Sequence, residues 1–206
     1  MRILRYAFLV LLVVGQVVNA KDKDSNEPNV PNDPNDPTKL LQVKWDAIVS
    51  VLNKKDIKQE VKEKEIFKII TPIFDFQLMA QLALGRKHWP KLNQSEHEKF
   101  LQLFTERLKS SYLKKVMLYT DEQVLFKDPV EDKKKKTVVI PVELVSKDSK
   151  VNMLYKLRKV KKRWKIYDVE IQGVSILLTY RAQFDDILSK GTVKDLLKQL
   201  EKPTEP

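Results

Sequence analysis

No cysteine occurs anywhere in the 206 residues, so a disulfide, a thiolate nucleophile and a thiolate metal site are all excluded. Histidine is nearly absent too: His88 and His97 stand alone, and neither has a second histidine at the spacing a helical metal site needs. His97 falls in Ser95-Glu96-His97-Glu98, the first turn of an expected helix, where it has no metal partner. Glycine occurs four times, too rarely for a phosphate-cradling loop, and Gly173-Val174-Ser175 lacks the second glycine of a nucleophile elbow. The apolar run Ala7 to Val14 counts 8 residues, against the roughly 20 that a membrane-spanning helix requires. Asp168 and Glu170 share one face of an expected strand, either as an acid/base pair or as outward charges beside lysines.

What is present begins with a secretory layout. Arg2 and Arg5 precede the apolar run, and Val18-Asn19-Ala20 offers a cleavage site, so residues 1–20 read as a signal peptide cut after Ala20. The mature protein is then expected to be soluble and periplasmic. Removing that segment takes away two arginines and no acids, so the net charge falls from +11 to +9. A basic chain suits an anionic membrane surface or an acidic protein partner, and export disfavours nucleic acid. Residues 21–38 read as a linker, with Pro28, Pro31, Pro34 and Pro37 at every third position among Asn, Asp and Lys.

From Leu40 the helical period takes over. Leu40, Leu41, Val43, Trp45, Ile48, Val49 and Leu52 make one stripe, and Val61, Ile66, Phe67, Ile69 and Ile70 a second that Thr71-Pro72 closes. A third helix, from Phe74 to Leu84, is expected to end at Gly85 in a left-handed cap. Ser95 with Glu98 predicts a capping box for the longest helix, whose stripe runs from Phe100 through Phe104, Leu108, Tyr112 and Val116 to Tyr119.

After Asp121 the period becomes two. Val124 and Phe126, then Val138 to Leu144, Val151 to Leu157 and Tyr167 to Ile171 predict four strands or slightly more in an antiparallel meander. Helices at Ser175–Ser189 and Thr192–Glu201, the latter with a Thr192/Asp195 capping box, join the N-terminal helices in covering one face. The expectation is one α+β domain over residues 39–202. Its inner face reads either as a sealed core or as the wall of a cavity.

Five segments carry a family pattern in order. They are Phe74-Asp75-Phe76-Gln77-Leu78-Met79-Ala80, Leu84-Gly85, the Phe100 to Tyr119 aromatic series, Trp164-x-Ile166-Tyr167-Asp168-Val169, and Gly173-Val174-Ser175 followed by Tyr180-Arg181-x-x-Phe184. The chain resembles the MlaC, or toluene-tolerance, family of periplasmic phospholipid carriers from about Leu40 to Glu201. The resemblance implies helices and a curved sheet enclosing an apolar cavity that takes acyl chains, with the phosphate headgroup near its mouth. The implied lining from the sheet is Val138, Ile140, Val142, Leu144, Met153, Tyr155, Leu157, Tyr167, Val169 and Ile171. From the flanking segments it is Met79, Leu82, Tyr112, Val116, Val174 and Leu177. It further implies a monomer, not an enzyme, without cofactor or metal, that shuttles phospholipid between an outer-membrane lipoprotein complex and an inner-membrane MCE-type ABC transporter. The alternative is a periplasmic adaptor with a closed core that binds a protein partner through a basic rim.

Two lysine clusters supply that rim. Lys133 to Lys136, including Lys134 and Lys135, precede one strand, and Lys159, Lys161, Lys162 and Arg163 separate two later ones. Alternate turns of a meander share one end of the sheet, so the clusters are expected to be neighbours. They serve either as solvated tips or as a docking surface. Arg181 reads either as a headgroup contact near the mouth or as the i+4 partner of Asp185.

Overall fold

A computed structural model describes residues 36–116, 123–132, 134, 136–147 and 149–203. The expected signal peptide, most of the linker, Tyr119, Lys133 and Lys135 lie outside the described residues, as does the side chain of Val116. The expected α+β architecture is present, with two short strands beyond the four that the period predicts. No helix among the described residues is long and apolar enough to cross a membrane.

Helix α1 (Pro37–Leu52) starts inside the expected linker because Asp36 caps it. The Asp36 carboxylate accepts from the backbone N–H of Thr38 and Lys39, and Pro37 fits the first turn, where an N–H would go unused. Helix α2 (Gln59–Ile70) folds back on α1 around a small separate core of Ile48, Val51 and Ile66. A 3-10 turn over Thr71–Ile73 carries the chain to the sheet. There Phe74 bridges Ile166, and the Asp75 N–H donates to the Ile166 carbonyl at 2.8 Å. Asp75 then caps helix α3 (Phe76–His88) with one carboxylate oxygen and holds the Arg158 guanidinium with the other.

Helix α4 (Gln94–Val116) opens two residues earlier than Ser95/Glu98 predicts. Asn93 and Glu96 form the reciprocal pair instead, with Asn93 N–H donating to Glu96 Oε2 and Glu96 N–H to Asn93 Oδ1. Both tetrapeptides satisfy the capping pattern, and the one preceding the first turn is used. The side chains of Phe100 and Phe104 on α4 meet Tyr180 and Phe184 at ring separations of 5.2 to 5.9 Å.

The sheet comprises β1 (Gln123–Phe126), β2 (Val130–Asp132), β3 (Thr137–Val145), β4 (Lys150–Val160), β5 (Arg163–Ile171) and β6 (Val174–Ser175), ordered β1-β3-β4-β5-β6. β2 shares the β3 edge with β1: β1 pairs with Val142–Val145 and β2 with Thr137–Val139. The interruption falls opposite Pro141, whose carbonyl accepts from Lys127 N–H but which has no N–H to give back. β3 alternates strictly, with Val138, Ile140, Val142 and Leu144 buried on one face. On the other face of the sheet Glu143 is held between Lys127 and Lys150. Helix α5 (Ile176–Lys190) starts from a Ser175 cap, and helix α6 (Val193–Glu201) has the predicted Thr192/Asp195 capping box. Arg107 of α4 closes α6 at its other end by donating to the carbonyls of Gln199, Leu200 and Lys202.

Candidate binding cavity

An apolar cavity lies between α1 and the buried face of the sheet, with about 40 Å³ of free space. A single water needs roughly 10–15 Å³ on the same footing, so this form holds a few such groups and not an acyl chain. Leu41, Lys44, Trp45 and Ile48 roof it from α1, and Ile70, Ile73 and Phe74 close one side. Val124, Phe126, Val142, Leu144, Met153, Tyr155 and Ile166 form the floor. Three of the floor residues are branched aliphatics from β3 and β1, while Met153 and the aromatic rings supply adaptable wall.

Of the residues that the family resemblance nominates, Val142, Leu144, Met153 and Tyr155 line this cavity. Val138, Ile140, Leu157, Val169 and Ile171 share their face but are packed into the continuous core with Met79 and Leu177. Leu82 and Tyr112 pack against that core half-buried. Two residues fall elsewhere. β5 carries one extra residue where Lys156 pairs with Asp168 but Leu157 pairs with Ile166, and that extra residue is Tyr167, half-exposed. The parity therefore shifts, and Ile166 faces the cavity in place of Tyr167. Val174 is 57% exposed on β6, beside Leu178 at 59%, and takes no part in the cavity.

The roof residues carry no sequence signal that marks them as lining. Leu41, Trp45 and Ile48 stand at helical i, i+4 and i+7, a stripe that any packed helix shows, and no signal in it says that α1 is the helix laid over the sheet.

Asp168 is buried rather than outward. It accepts from Ser175 Oγ at 2.8 Å, from Leu177 N–H at 3.4 Å and from Lys156 Nζ at 3.2 Å, tying β4 and β5 to the start of α5. Lys156 also reaches Glu170 at 2.9 Å. This knot is a structural fastening, and it faces away from the cavity side of β4. Tyr112 is held above the ordinary phenol range by burial, with Tyr180 and Asp168 adding to the shift.

Arg181 donates through Nε to the Leu82 carbonyl at 2.9 Å, and its terminal nitrogen reaches the same oxygen. Asp185, the sequence's other candidate for it, accepts instead from His88 Nε2 at 2.8 Å. His97 stacks on Trp89 and contacts the Trp89 carbonyl through Nε2. No cluster able to hold a metal ion occurs among the described residues.

The lysine turns do come together. Lys159 N–H donates to the Lys136 carbonyl, and Thr137 pairs with Arg158, so Lys134, Lys136, Lys161 and Lys162 crown one end of the sheet, all exposed. The cavity floor at Val142 and Leu144 lies six and eight residues along β3 from Lys136, roughly 20 to 26 Å.

The fold is similar to that of a phospholipid-binding protein from Ralstonia solanacearum, solved in complex with a phospholipid. The two chains are 23% identical, with a TM-score of 0.71 over 81% of this chain and 95% of that one. No curated protein matches the chain. The sequence profile of the MlaC protein family matches residues 42–202, which takes in most of α1, the sheet and both C-terminal helices: the chain belongs to the MlaC family.

Proposed function

We propose that the protein is a periplasmic phospholipid carrier, a monomer without catalytic function. In this reading it opens the space between α1 and the sheet to acyl chains and shuttles its cargo between an outer-membrane lipoprotein complex and an inner-membrane MCE-type ABC transporter. The observation that carries the reading is the cavity itself, an apolar gap between Leu41, Trp45 and Ile48 above and Val142, Leu144 and Met153 below. The phospholipid bound by the Ralstonia solanacearum protein of like fold supports it.

Energetics suit a carrier. Burying a methylene contributes about 0.8 kcal/mol, so two chains of about 15 methylenes gain on the order of 20 kcal/mol relative to water. Taken from a bilayer, where the chains are already in an apolar medium, they gain almost nothing. Cargo is therefore held fast in transit and exchanged only against an apolar partner surface. Admitting chains requires α1 to lift from the sheet. It can do so together with α2, because the two share their own core of Ile48, Val51 and Ile66. The lysine-crowned end of the sheet serves in this reading as the docking face for acidic partners.

The test is native mass spectrometry of the protein purified from a bacterial periplasm without detergent. A mass increment that fragments as a diacyl phospholipid is expected. A cargo-free mass, unchanged after incubation with phospholipid vesicles, would leave the closed-core adaptor as the better account.

A further inference from the structure

Within its apolar wall the cavity carries three side chains with a polar atom: Lys44, Trp45 and Tyr155. Trp45 already has a partner within the protein. Lys44 and Tyr155 differ, since neither makes a hydrogen bond or ion pair with any described residue. For Lys44 the reason is in the sequence. Its neighbours one turn away along α1 are Leu40, Leu41, Ala47 and Ile48, none of which offers a carboxylate, and Asp46 lies off that face. Its half-buried position lets the stem lie along the apolar roof while the ammonium stays at the solvent edge. Tyr155 is the inner group of the pair. It is 7% exposed, and burial alone pushes its phenol above the ordinary range.

Both groups therefore stand as open donors at the cavity, the Tyr155 hydroxyl within it and the Lys44 ammonium at its edge. A ligand with an anion at the edge and a neutral acceptor further in would meet both.

Resting on the carrier reading above, we infer that Lys44 and Tyr155 are the polar contacts of the cargo. Lys44 takes the phosphate, and Tyr155 donates to an ester carbonyl that follows it inward. No second charged residue lines the cavity among the described residues, so nothing there reads the alcohol beyond the phosphate. The site is therefore selective for a diacylglycerol phosphodiester as a class and blind to its headgroup alcohol.

The experiment offers the delipidated protein vesicles equimolar in phosphatidylethanolamine, phosphatidylglycerol and diacylglycerol of the same chains, then weighs the recovered complexes by native mass spectrometry. Wild type should carry the two phospholipids equally and prefer them to diacylglycerol by about tenfold, the usual worth of a charge-assisted hydrogen bond. Lys44→Met should bring that ratio near one without lowering diacylglycerol uptake, and Lys44→Arg should keep it. A parallel set with ester- and ether-linked phosphatidylglycerol tests the inner contact: wild type should prefer the ester, and Tyr155→Phe should erase the preference. Millimolar inorganic phosphate should leave every ratio unchanged, because the chains anchor the ligand; phosphate that abolished the preference would mark a free-anion site and overturn the inference. A Lys44→Met ratio equal to wild type would overturn it too, leaving the carrier intact. Failure of wild type to take up any of these lipids would instead sink the carrier reading itself.

Discussion

Arg181 on α5 donates to the carbonyl of Leu82 on α3, an acceptor that α3 leaves open where Gly85 departs from helical geometry. In a continuous helix that carbonyl would receive the N–H of Arg86. Gly85 sits at φ 76° and ψ 167°, a region essentially reserved for glycine, and a Cβ there would lie 3.3 Å from Arg181 Nε. The glycine and the arginine are thus two halves of one joint between α3 and α5.

Breaking either half should cost stability and leave cargo choice alone. Gly85→Ala is expected to lose about 1–3 kcal/mol through the forced backbone. Arg181→Met is expected to lose a similar amount, about 1–3 kcal/mol, by leaving the Leu82 carbonyl without a donor. Urea denaturation measures both. A change in lipid ratio for Arg181→Met, with normal stability, would return the arginine to a headgroup role.

Filling the cavity should separate binding from folding. Val142→Phe projects one aromatic ring toward the roof at Leu41 and Trp45, into space that the native side chain leaves free. Overpacking is expected to cost about 1–3 kcal/mol. The protein should still melt cooperatively while co-purified lipid falls severalfold. Full occupancy in a folded Val142→Phe protein would place the acyl chains elsewhere.

The lysine end carries strain that glycine would relieve. Lys136 and Lys161 hold positive φ values of 54° and 56°, a conformation unfavourable to a side chain with a Cβ. Lys161→Gly should therefore be neutral or stabilising, by up to about 1 kcal/mol once the added freedom of the unfolded chain is set against it. If that end docks on acidic surfaces, the double variant Lys161→Gly, Lys162→Gly should weaken adsorption to anionic vesicles, and wild-type adsorption should fade with added salt. Vesicle co-sedimentation across a salt series measures this. Salt-independent adsorption, equal in the variant, would leave these lysines as solvated tips.

At acid pH the last helix should loosen first. The Asp195 carboxyl is held below its ordinary value, chiefly by the Thr192 hydroxyl and then by the Thr192 backbone N–H. A depressed folded value means the contribution is present above the unfolded pKa, near 4, and is lost as pH falls through the folded value. Protection factors of the α6 amides, which remove the intrinsic pH dependence of exchange, should thus be steady down to about pH 4 and fall below it. In Asp195→Asn the protection should be lower at neutral pH and lack that acid step.

Much of the fold was legible because its signals are local. The Thr192/Asp195 box, the break at Thr71-Pro72 and the alternation of Val138 to Leu144 each depend on residues close in sequence, and each appears where the pattern puts it. The misplacements come from choices made at longer range. Simple alternation places Tyr167 inward, and one extra residue against β4 moves it aside and brings Ile166 in. Arg181 had a plausible partner one turn away, yet Asp185 is held by His88, from α3, and Arg181 by Leu82, also from α3. The cavity was legible in its floor and not in its roof, because a helical stripe states that a helix is covered without naming what covers it.

The most direct test of the central claim uses Trp45, which roofs the cavity. The protein is loaded from vesicles of phosphatidylglycerol brominated along its chains, separated from the vesicles, and its tryptophan emission is compared with that of protein loaded with unbrominated lipid. The account predicts strong quenching that Trp45→Phe largely removes, with Trp89 and Trp164 left emitting. Lipid-loaded protein whose Trp45 emission is unquenched would contradict it, since the chains would then lie somewhere other than between α1 and the sheet.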